Sequence, residues 1–285
     1  MIVLFSNITY FRNIIWKDSI IMWEDVVKKS PNKARGYNNL GAWGYHEQGL
    51  IDRAIQVYLT ALNLKPGYVL AHNNMGNAYK DKGYIDKAIE HYQIAIKLKP
   101  DFPMVYNNLG VVYSEKELVD EGIMEFQTAI RLKSDYTDAH YNLGKSYSKK
   151  GHLEDAIKEY MITLRLKPDH FDAHNNLGNI YFMQGKFDEA IKEYKTSLRL
   201  KSDYVEAHIG LGSVYANQGK LDEAAEEFLT ALNLDPNDAG IHYNLGNVYA
   251  DKDLIDKAVE EYKIALKLKP DFTPAKKALQ SLDFK

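Results

Sequence analysis

No cysteine occurs anywhere in the 285 residues. Disulfides, thiolate metal sites and cysteine nucleophiles are therefore excluded, while the compartment stays open, since cytosolic and oxidising spaces both tolerate a cysteine-free chain. Charge of one sign is equally lacking: 36 basic and 39 acidic side chains leave a formal charge of −3 and a pI near 6.3. Such a balance offers no electrostatic footprint for nucleic acid or an anionic membrane surface. Long apolar runs are missing too. Met1 to Phe5 are apolar and Ile8, Tyr10 and Phe11 extend the trend, but Ser6, Asn7, Thr9 and Arg12 interrupt it. That run is far short of the ~20 residues of a membrane helix. It also lacks the basic start and small-residue cleavage site of a signal peptide. The chain reads as soluble, with the cytoplasm as the expected compartment and an extracytoplasmic domain of a membrane protein as the alternative. Proline is sparse, eight in all, and five of these stand at multiples of one step.

The step is 34 residues. Leu-Gly or Met-Gly pairs recur at Gly76, Gly110, Gly144, Gly178, Gly212 and Gly246, each followed three residues later by a tyrosine, Tyr79 to Tyr249. Twelve residues after each glycine stands Ala88, Gly122, Ala156, Ala190, Ala224 or Ala258, and four further an aromatic, Tyr92, Phe126, Tyr160, Tyr194, Phe228 or Tyr262. A proline or serine closes each unit (Pro66, Pro100, Ser134, Pro168, Ser202, Pro236, Pro270). Within a unit the apolar spacing is helical in two segments. Ile85, Ala88, Ile89, Tyr92, Ala95 and Ile96 show the pattern of an amphipathic helix. The small residues read as packing devices that let two helices approach, with the aromatics filling the space beside them.

Charges follow the same step. Each second helix opens on an acid (Asp52, Asp86, Asp120, Glu154, Asp188, Asp222, Asp256), and six of seven close on lysine (Lys65, Lys99, Lys133, Lys167, Lys201, Lys269). Acid at the start and base at the end complement the helix macrodipole, at roughly 0.3–1 kcal/mol each. Gly49, Gly83, Gly151, Gly185 and Gly219 occupy the inter-helix turn, where a left-handed residue is favoured. Glu117 and Asp253 replace that glycine, so those turns are expected to be strained or differently shaped.

These positions resemble the tetratricopeptide-repeat family. The resemblance implies an all-α fold: a right-handed superhelical α-solenoid of antiparallel helix pairs, with a concave groove lined by the first helix of each pair. It covers seven units within residues 35–272 (35–68, 69–102, 103–136, 137–170, 171–204, 205–238 and 239–272). Residues 1–34 form an N-terminal segment with a half-repeat helix, in which Ser19 and Trp23 hold the alanine and aromatic places. Residues 273–285 form a C-terminal capping helix, with Ala275, Ala278, Leu279 and Leu282 on one stripe. The first unit departs by one extra residue between Gly41 and Gly49, which predicts a bulge or a lengthened turn near Trp43. The segment from Tyr10 to Asp25 also resembles the junction between the last membrane helix and the repeats of membrane glycosyltransferases.

Binding residues are expected where the core makes no use of them. The sixth position of the unit reads Asn74, Asn108, Asn142, Asn176, Gly210 and Asn244. A side-chain amide there offers both a donor and an acceptor to an extended peptide. This array resembles the asparagine ladder of the O-linked N-acetylglucosamine transferase repeats. Asn77, Tyr141, Asn175, Asn179, Phe182, Ile209, Tyr243 and Asn247 complete the candidate partner-binding groove. The fifth and sixth positions carry no lysine or arginine, unlike the carboxylate-clamping repeats of heat-shock chaperone co-factors. A column of His72, His140, His174, His208 and His242 suggests a metal. Successive helices stand ~8–10 Å apart, too far for ligands of one ion, so packing is the expected role.

No catalytic constellation, phosphate-cradling loop, cofactor site or metal site is apparent. The reading is a non-enzymatic scaffold that binds a protein or peptide. Two alternatives stand beside it: the C-terminal substrate-presenting part of a membrane glycosyltransferase, and a self-assembling scaffold that docks through its N-terminal segment. A membrane partner is expected only if a larger upstream part exists.

Overall fold

The computed structural model describes residues 19–282. The apolar stretch of Met1 to Phe11, most of the junction-like segment and residues 283–285 lie outside the described residues. Among the described residues there are sixteen α-helices, one π-helical segment and no strand. In chain order they are α1 (Ser19–Lys29), α2 (Ala34–Asn39) running into the π-helix (Leu40–His46), α3 (Ile51–Leu64), α4 (Val69–Asp81), α5 (Ile85–Leu98), α6 (Pro103–Glu115), α7 (Val119–Leu132), α8 (Thr137–Lys149), α9 (Leu153–Leu166), α10 (Phe171–Met183), α11 (Phe187–Leu200), α12 (Val205–Asn217), α13 (Leu221–Leu234), α14 (Ala239–Asp251), α15 (Ile255–Leu268) and α16 (Thr273–Leu282). The chain packs as two compact bodies, divided after Ser146 within α8.

In the first body α4 packs on α5 and α6 on α7, while α3 also packs on α4 and α5 on α6. The second body repeats the arrangement with α10 on α11, α12 on α13 and α14 on α15, and α16 closes it against α15. The small residues explain how close the partners come. A Cβ added to Gly76 would stand 2.5 Å from the Tyr92 ring, and the same clash recurs at Gly246 against Tyr262. Glycine is thus required by the aromatic of the facing helix, and those aromatics are fully buried. Burying a ring of this size contributes roughly 1.5–3 kcal/mol.

The extra residue of the first repeat is taken up inside the helix. The Glu47 N–H donates to the Ala42 carbonyl, five residues back, whereas the Leu50–Tyr45 bond that follows is the same turn closure as Tyr84–Tyr79 in the next repeat. The result is the π-helix Leu40–His46, in which Trp43 turns outward. α1 covers this region, with Ile20, Trp23 and Val27 against the core of Leu40, Tyr45 and Tyr58. The Tyr45 hydroxyl donates to Glu24 at 2.7 Å. At the other end Ala275 is buried, and Ala278, Leu279 and Leu282 are half-buried on one stripe of α16.

Glu117 and Asp253 adopt φ of 63° and 57°, close to the 74° of Gly83. These turns therefore keep the shape of the glycine turns and carry the strain of a side chain in the left-handed region.

The closing lysines leave the helix and lie over the aromatic three residues on: Lys65 over Tyr68 at 5.3 Å, Lys99 over Phe102 at 5.2 Å, Lys201 over Tyr204 at 5.2 Å. A cation over a ring face adds about 0.5–1 kcal/mol at exposed sites. The opening acids likewise gain neighbours: Lys82 reaches Asp52, Lys116 reaches Asp86 and Lys252 reaches Asp222 in the preceding repeat.

Candidate functional site

The candidate residues lie on the first helices, and the fold gives many of their amides a partner within the protein. In the first body the Asn74 amide donates to Asn38 Oδ1 at 3.0 Å, Asn108 to Asn73 Oδ1 at 3.0 Å and Asn142 to Asn107 Oδ1 at 3.0 Å. These three sixth-position asparagines thus donate to the fifth-position residue of the preceding repeat. The acceptors Asn38, Asn73 and Asn107 are buried, where an unpaired carbonyl is costly. Asn108 donates a second bond to Asn77 at 3.2 Å, and Asn74 Oδ1 accepts from Asn73. Tyr141 is half-buried, with Lys145 over its ring at 5.6 Å.

A second amide column serves the buried tyrosines. The Tyr92 hydroxyl donates to Asn77 Oδ1 at 2.6 Å, Tyr194 to Asn179 at 2.7 Å and Tyr262 to Asn247 at 2.8 Å. Where the aromatic is Phe126 or Phe228, the facing residue is Val111 or Ser213 instead of asparagine. Two buried tyrosines lack that asparagine: Lys145 holds the place opposite Tyr160, and the other is Tyr58. It faces the π-helix with Ala42 at the asparagine place, and its buried hydroxyl has no partner.

In the second body Asn176, Asn179, Phe182 and Met183 share one side of α10, next to Ile209 of α12. Asn176 is half-buried and Asn179 exposed. Phe182 and Ile209 rest partly on the core, and Met183 is 60% exposed. Here the asparagine pattern breaks. Asn175 is buried at 3% exposure and its Oδ1 accepts nothing, because the following repeat has Gly210 where an asparagine would donate. Tyr243 lies between Tyr262 and Phe272, at ring distances of 6.0 and 5.5 Å. Asn244 is half-buried beside it on α14. The structure therefore groups Asn175, Asn176, Asn179, Phe182 and Ile209 on adjacent first helices, whereas Tyr243 is drawn into contacts with α15 and the segment leading into α16.

The histidine column is a set of inter-helix braces. His174, His208 and His242 each place Nδ1 2.6 Å from a glutamate of the second helix (Glu193, Glu227, Glu261). Their Nε2 atoms face the carbonyls of Pro168, Ser202 and Pro236 at 3.1–3.3 Å. Tyr106 takes the histidine place in the third repeat and gives its hydroxyl to the Pro100 carbonyl at 3.0 Å. Glu125 then has no histidine to meet, and burial raises its pKa. In the second repeat the glutamate place is held by His91. Its Nδ1 lies 3.1 Å from His72 Nδ1, and burial, with a smaller contribution from His72, lowers its pKa. The glutamates and His91 escaped the sequence reading, although their fixed 19-residue separation from the histidines was the signal. Among the described residues no three or more His, Asp or Glu side chains gather as a metal site, and no helix is long and apolar enough to cross a membrane.

The fold and this face define an all-helical solenoid of paired helices. The chain belongs to the tetratricopeptide-repeat family: the TPR repeat profile matches residues 45–83, 76–116, 119–151, 146–185, 178–219 and 212–253, and the tetratricopeptide repeat profile matches 239–272. No significant match is found among curated proteins. Among solved structures, the chain is similar to one from the APC/C hetero-tetramer Cut9–Hcn1, with TM-score 0.76 over 92% of this chain at 19% identity. It spans about half (52%) of that chain, and the likeness is one of fold. YrrB, described as a TPR protein with an unusual peptide-binding site, aligns over 67% of this chain and 99% of its own at 26% identity and TM-score 0.55. MamA aligns over 55% and 92% at 30% identity and TM-score 0.50. Family and neighbours together support a protein-interaction scaffold.

Proposed function

We propose that the chain is a non-enzymatic scaffold that binds an extended peptide or a partner helix along the face formed by its first helices. The observation that carries this reading is the surface of α10 and α12. There, exposed Met183, half-buried Phe182 and Ile209, and the amides of Asn176 and Asn179 lie on two first helices in contact, with Phe182 and Ile209 packed on one core cluster. Apolar anchors beside amides that read a peptide backbone are the ingredients of sequence-tolerant peptide capture. The peptide-binding description of YrrB, a relative by structure and sequence, favours the same class of ligand. The absence of lysine and arginine from the fifth and sixth positions favours a neutral segment over a free carboxylate terminus.

Selection of a displayed library of unstructured peptides against the full chain tests the proposal. Peptides recovered on the wild type should bind at least tenfold more weakly to the I209D and M183D variants and equally well to M161D, which alters a second helix. Peptides held equally by all three variants would refute it.

A further inference from the structure

We infer that His72 and His91 together form a two-histidine chelate for a divalent transition-metal ion of the zinc or copper(II) class. The pair is particular to the second repeat. Wherever else a histidine–carboxylate brace is seen, His174, His208 and His242 meet glutamates, and only here does a second imidazole stand at the same 19-residue separation. Two histidines thus share one layer, which a column of one histidine per repeat never provides.

The geometry suits a metal with small adjustment. The Nδ1 atoms are 3.1 Å apart and the ring centroids 5.3 Å. Two imidazoles on a tetrahedral zinc, with Zn–N of about 2.0–2.1 Å, would place their nitrogens about 3.4 Å apart and their centroids about 5.2 Å apart. The centroids are already at that distance, so a slight swing of the rings completes the chelate. The outer nitrogen of His72 is also fixed: Nε2 lies 2.9 Å from the Pro66 carbonyl. A donor N–H there leaves the Nδ1 lone pair for a metal, the arrangement that ordinarily orients metal-binding histidines. Tyr79 flanks the His91 ring at 5.5 Å and limits its rotation. His72 is buried and His91 half-buried, so the pair opens at the surface of the α4–α5 pair. Water completes the coordination. Binding places the His91 proton on Nε2, which frees Nδ1 for the metal.

Titration calorimetry of the full chain with zinc chloride, and copper(II) spin resonance on the same protein, test the site. Two substitutions remove ligands with little disturbance. His72→Tyr reproduces the residue found at Tyr106, which makes the same carbonyl contact, and His91→Gln keeps a polar group at the surface. Far-ultraviolet circular dichroism verifies that both fold. The expected result is one ion per chain, two nitrogen ligands in the copper spectrum, and affinity about tenfold or more weaker in either variant. His174→Tyr should bind as the wild type does. No binding by the wild type, equal binding by all variants, or equal loss in His174→Tyr would each overturn the assignment.

Discussion

At Asn108 both N–H groups of the amide are spent on the preceding repeat, at Asn73 and Asn77, so this residue builds the array whatever else it binds. Asn108→Ala leaves the buried Asn73 oxygen without a donor, and the expected cost is about 1–3 kcal/mol, measured as a lowered midpoint in chemical denaturation. An asparagine that served only a ligand would leave the midpoint unchanged. The tyrosine column permits a paired comparison. Tyr92→Phe removes a bond to Asn77 and should cost about 0.5–1.5 kcal/mol. Tyr58→Phe removes a buried hydroxyl that has no partner, and should be neutral or stabilising by up to about 1 kcal/mol. Equal losses in both would contradict the role given to Ala42. The residue types were legible in the sequence, but their partners were not. The Asn108–Asn73 bond joins residues 35 apart, one more than the repeat, and that offset arises from how neighbouring first helices pack.

At the scale of the element, the two helices of each unit follow from spacing alone, because glycine, alanine and aromatic recur where close packing needs them. The π-helix was legible only as a surplus residue. Whether it enters the turn or the helix depends on which hydrogen bonds survive; the turn closure to Tyr45 is the ordinary one, and the five-back bond to Ala42 keeps the surplus in the helix. The turns at Glu117 and Asp253 hold the glycine geometry without glycine. Glu117→Gly and Asp253→Gly should each therefore stabilise the chain by about 1 kcal/mol, seen as a rise in thermal midpoint. The same replacement at the neighbouring exposed Lys116 should lower it, since Lys116 caps α6 at a φ of −79° and pairs with Asp86.

Across the molecule, one period sets the packing, and both proposals rest on places where that period is broken. Ile209-Gly210 interrupts the asparagine pattern, leaves Asn175 Oδ1 unpaired and sets an apolar side chain beside Phe182 and Met183. His91 replaces a glutamate and creates the histidine pair. Both departures are visible in the sequence, but their meaning depends on what lies across the helix interface. The central claim, that partners bind the first-helix face, is tested most directly by methyl NMR of the methionines in the presence of a selected peptide. Met183 reports the first-helix face, while exposed Met124 and Met161 report second helices. Binding at the first-helix face predicts a saturable shift of the Met183 methyl with Met124 and Met161 unmoved; a silent Met183 with shifts at Met124 or Met161 would contradict it.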